Sequence, residues 1–348
     1  MKRTNKILGN FKFWVIFCIL AIGVLSGCNS NSSQSGKTDV ATKGTKENPF
    51  ILGIAPMASP YSWEGLDELG YFEKNNIYVK IQYFAVYSDL MSAFNSGNID
   101  AIPMAASDTI APYTQGVKFK IVMINDCSAG ADAIIAKDGI NSIKDLKGKT
   151  VATEVGTIEE MFLLKALENN GMTIEDINFV NMTINEAGPA FISGKLDAAV
   201  LFEPTLTMAL QDGGGHIVYS SKETPGMIPD VISVRQEVID NAPETVQKFV
   251  DTWYNGINVI TKKDAQFLQA VCQKAEIEKD DFVSMLDGVT IFDEKKNINA
   301  FKSGNDYSSL EYVLQESSQF LYDTKVLTKK VDDVSNIIDN RFVNGEFR

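Results

Sequence analysis

Two carboxylates follow apolar stretches of the sequence, which is an unusual place for a charged side chain. Glu203 comes directly after the apolar run 198–202, and Asp108 follows the apolar stretch within "IDAIPMAASDT". Such an acid either starts a helix, where the helix dipole favours negative charge, or faces a ligand. A ligand-facing carboxylate selects an ammonium, an amidine-like group or another N–H donor. We predict that Glu203 and Asp108 bind a ligand, and helix capping remains the alternative.

Hydroxyl side chains at or beside predicted helix starts form a second candidate group. Its members are Ser59, Ser88, Ser107 and Thr157. Serine and threonine are preferred helix N-caps and need no ligand for that role. Several helix N-termini that converge on one cleft would also bind an anion through their backbone N–H groups. The rings of Tyr61 and Tyr87 are predicted to form walls of the same ligand site, with ordinary packing as the alternative.

Catalytic and metal-binding chemistry has little support in the sequence. The chain contains one histidine, His216, which excludes His-rich metal sites and weakens a catalytic triad. No G-x-x-x-x-G-K-(S/T) phosphate loop occurs, and no G-x-G-x-x-G follows a predicted strand. We therefore predict no catalytic residue, no metal site and no cofactor. Cys127, predicted to lie in a loop, is a tentative ligand contact whose alternative is a small buried residue.

An internal repeat indicates the elements that position these side chains. The segment "AFNSGNIDAIPM" at 93–104 matches "AFISGKLDAAVL" at 190–201, an offset of 97 residues. In both copies Ala and Phe close a helix, and Gly97 or Gly194 takes the left-handed position just after it. An apolar strand then follows in each copy. The repeat therefore predicts two halves with the same local structure.

The same offset relates the two candidate acids. It places Glu203 level with Ala106, two residues from Asp108. Ligands of parallel α/β sheets lie outside the carboxyl ends of the strands, where loops and helix starts converge. The two halves are thus expected to present acids to one cleft.

Each half has the pattern β-loop-α-β-loop-α-β, which builds a parallel sheet with helices on its faces. We predict an α/β fold of two lobes, each a mostly parallel sheet flanked by helices. Lobe one comprises residues 49–137 and 228–348, where the chain returns and becomes mainly helical. Lobe two comprises residues 138–227.

The first residues have the features of an export signal, which we place at 1–27. Lys2, Arg3, Lys6 and Lys12 precede the apolar run 13–25, which is shorter than the roughly 20 residues of a membrane-spanning helix. "LSGC" resembles a bacterial lipobox, which implies cleavage before Cys28 and lipidation of its thiol, for example by palmitate. An uncleaved anchor with a chance cysteine is the alternative. The polar segment 28–48 is predicted to be a flexible, lipid-anchored linker on the outer face of the cell membrane.

Charge and cysteine content narrow the class of protein further. The formal net charge is −13, and loss of the four basic signal residues changes it to −17. Such a chain is not expected to bind nucleic acid or an anionic membrane surface. Beyond residue 28 the cysteines are Cys127 and Cys272, so no disulfide framework is predicted.

Three segments carry a resemblance to a known family. They are "SIKDLKGKTVATEVGT" at 142–157, "SGKLDAAVLFEP" at 193–204 and "ISVRQEVIDNAPETVQKFV" at 232–250. With the lipobox and the doubled lobe, they resemble bacterial ABC-importer solute-binding proteins over roughly residues 50–345. The most similar group is the nitrate, taurine, aliphatic sulfonate and thiamine-precursor binders.

The resemblance implies a type II-like periplasmic-binding-protein fold with two crossover segments. It implies capture of a small polar ligand (sulfonate-, amine- or pyrimidine-like) by hinge closure, and delivery to a membrane permease powered by a separate ATPase subunit. Glu203 stands at the family's "EP" position, and Thr157 and Ser107 match loops that line the cleft. We expect a monomer. The alternative is an enzyme on the same scaffold, similar to a pyrimidine synthase, although the cysteine-rich motif of those synthases is absent.

Overall fold

The structure is a computed structural model that describes residues 42–348. The predicted signal peptide, Cys28 and most of the predicted linker lie outside the described residues. Within 42–348, no helix has the length and apolar character to cross a membrane. The strands are β1 Phe50–Ile54, β2 Val79–Tyr83, β3 Ala101–Ala105, β4 Phe119–Ser128, β5 Asp132–Lys137, β6 Thr150–Thr153, β7 Asn178–Asn181, β8 Ala198–Phe202, β9 Gly215–Ser220, β10 Pro229–Arg235 and β11 Val289–Ile291.

Helices cover the faces of the strands and form most of the C-terminal third. They are α1 Ala58–Glu68, α2 Tyr71–Lys74, α3 Tyr87–Asn95, α4 Ile110–Thr114, α5 Ile158–Asn169, α6 Ile184–Ile192, α7 Thr205–Gly213, α8 Gln236–Asn241, α9 Pro243–Thr261, α10 Ala265–Ala275, α11 Lys279–Asp287, α12 Glu294–Ala300 and α13 Leu310–Asp323.

The strands form two sheets. The six-stranded sheet has the order β11-β4-β10-β3-β1-β2, and the five-stranded sheet has the order β7-β6-β8-β5-β9. Strand β1 pairs in parallel with β2 and β3, and β6 pairs in parallel with β7 and β8. These three-stranded units are the predicted β-α-β-α-β halves.

The prediction of mostly parallel sheets is confirmed for strand direction, because β1, β2, β3 and β4 run one way in the six-stranded sheet and β6, β7, β8 and β9 run one way in the five-stranded sheet. The pairing, however, is mixed. Strands β4, β5, β9, β10 and β11 all pair antiparallel with their neighbours. The chain passes from β4 to β5 through residues 129–131, and from β9 back to β10 through residues 221–228. Each crossing carries the chain into the other sheet, where the entering strand, β5 or β10, lies between two strands and runs opposite to both. The first crossing precedes β5, so β5 lies in the five-stranded sheet, whereas the predicted boundary assigned it to lobe one.

The internal repeat is confirmed in three dimensions. Strands β3 and β8 begin and end 97 residues apart. The two glycines that precede them are left-handed, with φ of 82° at Gly97 and 74° at Gly194. Each glycine ends a helix and lets the chain turn into a buried strand. The repeat therefore delivers equivalent strand ends to equivalent places in the two sheets.

An aromatic cluster fixes the six-stranded sheet to its helices. The rings of Trp63 and Phe249 stack at 4.3 Å, and Trp253 lies 4.9 Å from Trp63. These side chains are fully buried between α1 and α9, and burial of large aromatic rings is a major source of core stability. The start of α1 is therefore held firmly above the sheet.

The last residues of the predicted flexible linker belong to the folded body. The ammonium group of Lys43 lies 2.8 Å from Oδ2 of Asp100. The hydroxyl group of Thr245 donates a 2.8 Å hydrogen bond to the carbonyl oxygen of Lys43. A polar composition indicates a linker only where such tertiary contacts are missing, so the prediction is wrong for residues 43–48.

Candidate functional site

A cavity lies between the two sheets, at the strand ends where the sequence predicted a cleft. Its volume is about 40 Å³, room for about three water-sized groups. The six-stranded side contributes Met57, Tyr87, Ala105, Asp126, Ser128 and Asp230, among others. The five-stranded side contributes Ala131, Asp132, Ile158, Glu159, Phe202 and Glu203. Both sheets therefore build this cavity.

Tyr87 and Phe202 meet across the cavity from opposite sides. Their ring centroids are 6.3 Å apart with an interplanar angle of 75°, the edge-to-face arrangement that aromatic pairs favour. The predicted wall role of Tyr87 agrees with this position. Its hydroxyl group donates a 2.9 Å hydrogen bond to Oδ2 of Asp108 and accepts one from the backbone N–H of Ala105. Asp108 thus lies behind Tyr87 and is not itself part of the cavity lining.

Carboxylates dominate the polar part of the lining. They are Asp126, Asp132, Glu159, Glu203 and Asp230, and the residues that line the cavity include no lysine or arginine. Burial raises the pKa of Asp126 to about 7 and that of Asp132 to about 6. Burial also raises the pKa of Glu159 and of Asp230, and charge repulsion from neighbouring carboxylates adds to both increases.

Three of the predicted hydroxyl residues donate hydrogen bonds to buried carboxylates at or behind the cavity. Ser59 donates a hydrogen bond to Oδ2 of Asp126, and Ser107 donates to Oδ1 of Asp108 at 3.1 Å. Thr157 donates to Oε2 of Glu159 at 2.8 Å. None of the three caps a helix with its side chain. An N-cap oxygen accepts a hydrogen bond from an N–H group of the first turn, and no such bond is present at these three residues, so here the capping alternative is wrong.

Glu203 combines both roles that the sequence left open. It lines the cavity, and its carboxylate accepts hydrogen bonds from the backbone N–H of Thr207 at 3.1 Å and from the Thr207 hydroxyl group at 2.8 Å. The Glu203 carboxylate therefore accepts hydrogen bonds from the first turn of α7, and the same side chain also borders the cavity. Burial raises the pKa of Glu203, and the two bonds from Thr207 oppose that increase.

Of the predicted site residues, Tyr87 and Glu203 line the cavity, and Tyr61, Ser88 and Cys127 neither line it nor donate to its acids. Tyr61 is 5% exposed and packs in the aromatic core below α1, and Ser88 is half-buried on α3 outside the cavity lining. Cys127 lies in β4, not in the predicted loop, and lines a second cavity of about 510 Å³. Neighbouring residues of a strand point to opposite faces, so Cys127 points away while Asp126 reaches the site. Cys127 and Cys272 are free thiols.

Sequence reasoning missed Asp126, Asp132, Glu159 and Asp230. Three of them lie at or near the end of an apolar strand, in "INDCS", "DAIIAK" and "PDVISVR". Only Asp126 lies near the carboxyl end of its strand, as Glu203 does, whereas Asp132 and Asp230 stand at the start of theirs. Asp126 and Asp230 are directly opposite each other in the register of β4 and β10, although 104 positions separate them in the sequence. Only the strand pairing makes them neighbours.

The acids are not arranged as a metal site. Within the described residues, no group of three or more His, Cys, Asp or Glu side chains is placed to hold a metal ion. A divalent cation needs several ligand atoms within about 2.6 Å of one point.

Comparison with known proteins identifies the fold and the family. The periplasmic aliphatic sulphonate binding protein of Escherichia coli superposes with a TM-score of 0.70 at 19% identity, over 85% of this chain and 99% of that protein. The fold is therefore that of the periplasmic binding proteins. The model of the family described as "NMT1/THI5 like" matches residues 67–266, and the chain belongs to this family.

Relatives with assigned roles are similar over most of the chain. A putative aliphatic sulfonates-binding protein of Bacillus subtilis is 26% identical over 340 residues, covering 94% of this chain and 95% of that protein. The taurine-binding periplasmic protein of Escherichia coli is 20% identical over 266 residues, covering 74% and 81%. These relatives confirm the predicted resemblance and favour a binding protein over an enzyme of the same fold.

Proposed function

We propose that the chain is the extracytoplasmic solute-binding protein of an ABC importer and captures a small polar ligand in the cavity between its two sheets. The observation that carries this proposal is that one cavity is lined from both sides, with Tyr87 and Phe202 in contact across it. A ligand held there touches both sheets at once, so binding favours the closed arrangement.

The hinge of this closure is formed by the two crossings, 129–131 and 221–228. They lie side by side, since the hydroxyl oxygens of Ser128 and Ser221 are 2.7 Å apart. The backbone N–H of Gly130 also donates a 2.7 Å hydrogen bond to the Ser221 hydroxyl oxygen. The sheets thus form two lobes that rotate about this paired segment, as expected for a hinge made of a few element-terminal residues.

Delivery requires a membrane permease and its ATPase subunit as partners. We propose that a signal peptide at 1–27 directs export of the chain, and that a lipid on Cys28 holds it at the outer face of the cell membrane. We also propose that the chain is a monomer. Fractionation of cells that express the Cys28→Ser variant tests the anchor. The variant should move from the membrane fraction to the soluble fraction, and unchanged membrane retention would contradict lipidation at Cys28.

The ligand classes open to this site are sulfonate-, amine- and pyrimidine-like solutes. Relatives are named for aliphatic sulfonates and for taurine. Helices α1, α3 and α5 begin at the cavity, and no side chain caps their first turns. Their free N–H groups offer a place for a sulfonate group. The carboxylates of the lining favour the amine-like class instead.

Ligand screening by thermal shift, followed by recovery of the bound compound, tests the proposal. A binding protein should show a saturable rise in melting temperature, and mass spectrometry should return the compound unchanged. Steady conversion of the compound by the purified protein would contradict the proposal and support the alternative of an enzyme on this scaffold.

A further inference from the structure

We infer that the ligand of this cavity carries a cationic nitrogen. It is an ammonium or amidinium group whose N–H groups donate hydrogen bonds to Asp126, Asp132 and Asp230. The inference rests on the proposed function and narrows its ligand class. It implies that a simple alkanesulfonate, which has no positive charge, is not bound.

The first observation is an unsatisfied acceptor. Asp126 is 2% exposed, and its Oδ2 accepts a hydrogen bond from Ser59. Its Oδ1 is buried and has no hydrogen-bond partner. A buried carboxylate oxygen without a donor costs free energy, yet this side chain lines the cavity. A ligand N–H group that enters the cavity would remove that cost.

The second observation is the arrangement of like charges. Asp230 stands opposite Asp126 in the antiparallel pair of β10 and β4, and like charges at such positions are destabilising. Asp132 and Glu159 border the same cavity from the five-stranded side, and no lysine or arginine lines it. Acids from both sheets therefore converge without a counter-charge of the protein. A positively charged ligand supplies that counter-charge when the lobes close.

The remaining features of the cavity favour an organic cation over a metal ion and over an anion. Within residues 42–348 the acids are not placed to chelate a metal ion, whereas N–H donors spread over an organic group match separated acceptors. An anion would enter a field made by the lining carboxylates, where repulsion outweighs the partial positive charge of the nearby helix starts. A zwitterion can use both the carboxylates and the helix starts, with its nitrogen among the acids and its anionic group at a helix start.

A matched set of small probes tests the inference on the full chain, purified in detergent. The cations are ethane-1,2-diamine, propane-1,3-diamine and benzamidine. The zwitterion is taurine, its anionic counterpart is ethanesulfonate, and Ca²⁺ represents metals. Melting temperature and calorimetric binding are measured at pH 8 and constant ionic strength. At least one organic cation or taurine should bind saturably and at least tenfold more tightly than ethanesulfonate.

The opposing outcomes are distinct. Binding of ethanesulfonate as tight as that of taurine, binding of Ca²⁺ alone, or no binding of any nitrogen probe would overturn the inference. Binding of ethanesulfonate alone would leave the proposed solute-binding function intact. Conversion of a bound probe would instead overturn the proposed function.

Variants then test the assigned acids. Asp126→Asn keeps an oxygen that accepts from Ser59 but removes the charge, and should weaken binding of the tightest nitrogen probe about tenfold to a hundredfold. Glu64→Gln is the matched control, because Glu64 is a buried acid of α1 outside the cavity lining with an unpartnered oxygen of its own. It should leave affinity unchanged. If Asp126→Asn fails to fold, Asp230→Asn replaces it, and wild-type affinity in the variant used would overturn the assignment.

Discussion

The hydroxyl group of Ser59 donates a hydrogen bond to Oδ2 of Asp126 and thereby joins the first turn of α1 to the end of β4. The other oxygen of Asp126 has no partner. Ser59 is therefore the donor that the protein itself provides to this buried carboxylate. The contact links the rigid aromatic core beneath α1 to the ligand cavity.

Loss of this donor should destabilise the protein mainly at a pH where Asp126 is ionised. Ser59→Ala is expected to lower the free energy of unfolding by about 1–3 kcal/mol at pH 8, because both carboxylate oxygens then lack a donor. At pH 5 the loss should be about 1 kcal/mol or less. Urea unfolding at the two pH values measures the difference. Ser62→Ala is the control, because that hydroxyl group donates only to Ala58 of its own helix. Equal losses at both pH values would contradict the assigned pairing.

Stability should fall as the pH rises towards neutrality. Burial raises the pKa of Asp108 and of Asp126 to about 7, and that of Asp132 to about 6. In the unfolded chain these carboxyl groups ionise near pH 4. Between about pH 4 and pH 7 the folded protein thus binds more protons than the unfolded chain, so the free energy of unfolding decreases with pH.

Urea unfolding from pH 4.5 to 7.5 in the absence of ligand tests this sign, and each carboxyl group with a folded pKa of about 7 is expected to contribute roughly 3 kcal/mol to the decrease. The acids that make up the cluster are Asp108, Asp126, Asp132, Glu159, Glu203 and Asp230. Asp126→Asn should flatten the dependence and raise stability at pH 7.5. A free energy of unfolding that increases over this range would show that the cluster is not protonated in the folded protein.

The two repeat glycines should respond differently to substitution. Gly194→Ala is expected to cost about 1–2 kcal/mol, the price of a left-handed residue that has a Cβ, because a Cβ there meets open space. Gly97→Ala should cost more, about 2–3 kcal/mol, since its Cβ would lie 3.2 Å from the guanidinium carbon of Arg235. Arg235 donates a 3.0 Å hydrogen bond to the carbonyl oxygen of Phe94. Urea unfolding compares the variants, and an equal or larger loss for Gly194→Ala would contradict this account.

Glu203 should contribute to the stability of α7. Glu203→Gln leaves one acceptor oxygen where two now bind the N–H and the hydroxyl group of Thr207, so a loss of about 1 kcal/mol is expected at pH 8. Thr207→Val removes the hydroxyl contact but keeps the backbone bond and the shape. In that background Glu203→Gln should cost measurably less, by a double-mutant cycle in urea. Additive losses would show that the two side chains do not act together.

Local features of the fold were predictable from the sequence because local geometry encodes them. A glycine after a helix and an apolar run after an acid specify a left-handed turn and a buried strand, and the repeat doubles that signal. Strands β3 and β8 and the turns at Gly97 and Gly194 were therefore predicted correctly. Glu203 directly follows β8, and Tyr87 begins the helix that follows β2. Both were predicted to lie at the ligand site because ligands of such sheets lie outside the carboxyl ends of the strands.

The sequence by itself determined the repeated β-α-β units, the cleft at their carboxyl ends and the resemblance to a family of binding proteins. The tertiary structure decided the antiparallel strands, the position of the crossings and the chemistry of the cavity. Asp126 and Asp230 become neighbours only when β10 returns from the other sheet to pair with β4. Local periodicity carries no information on such long-range pairing, because register depends on contacts between segments far apart in the chain. The acidic character of the site is for that reason a property of the folded molecule.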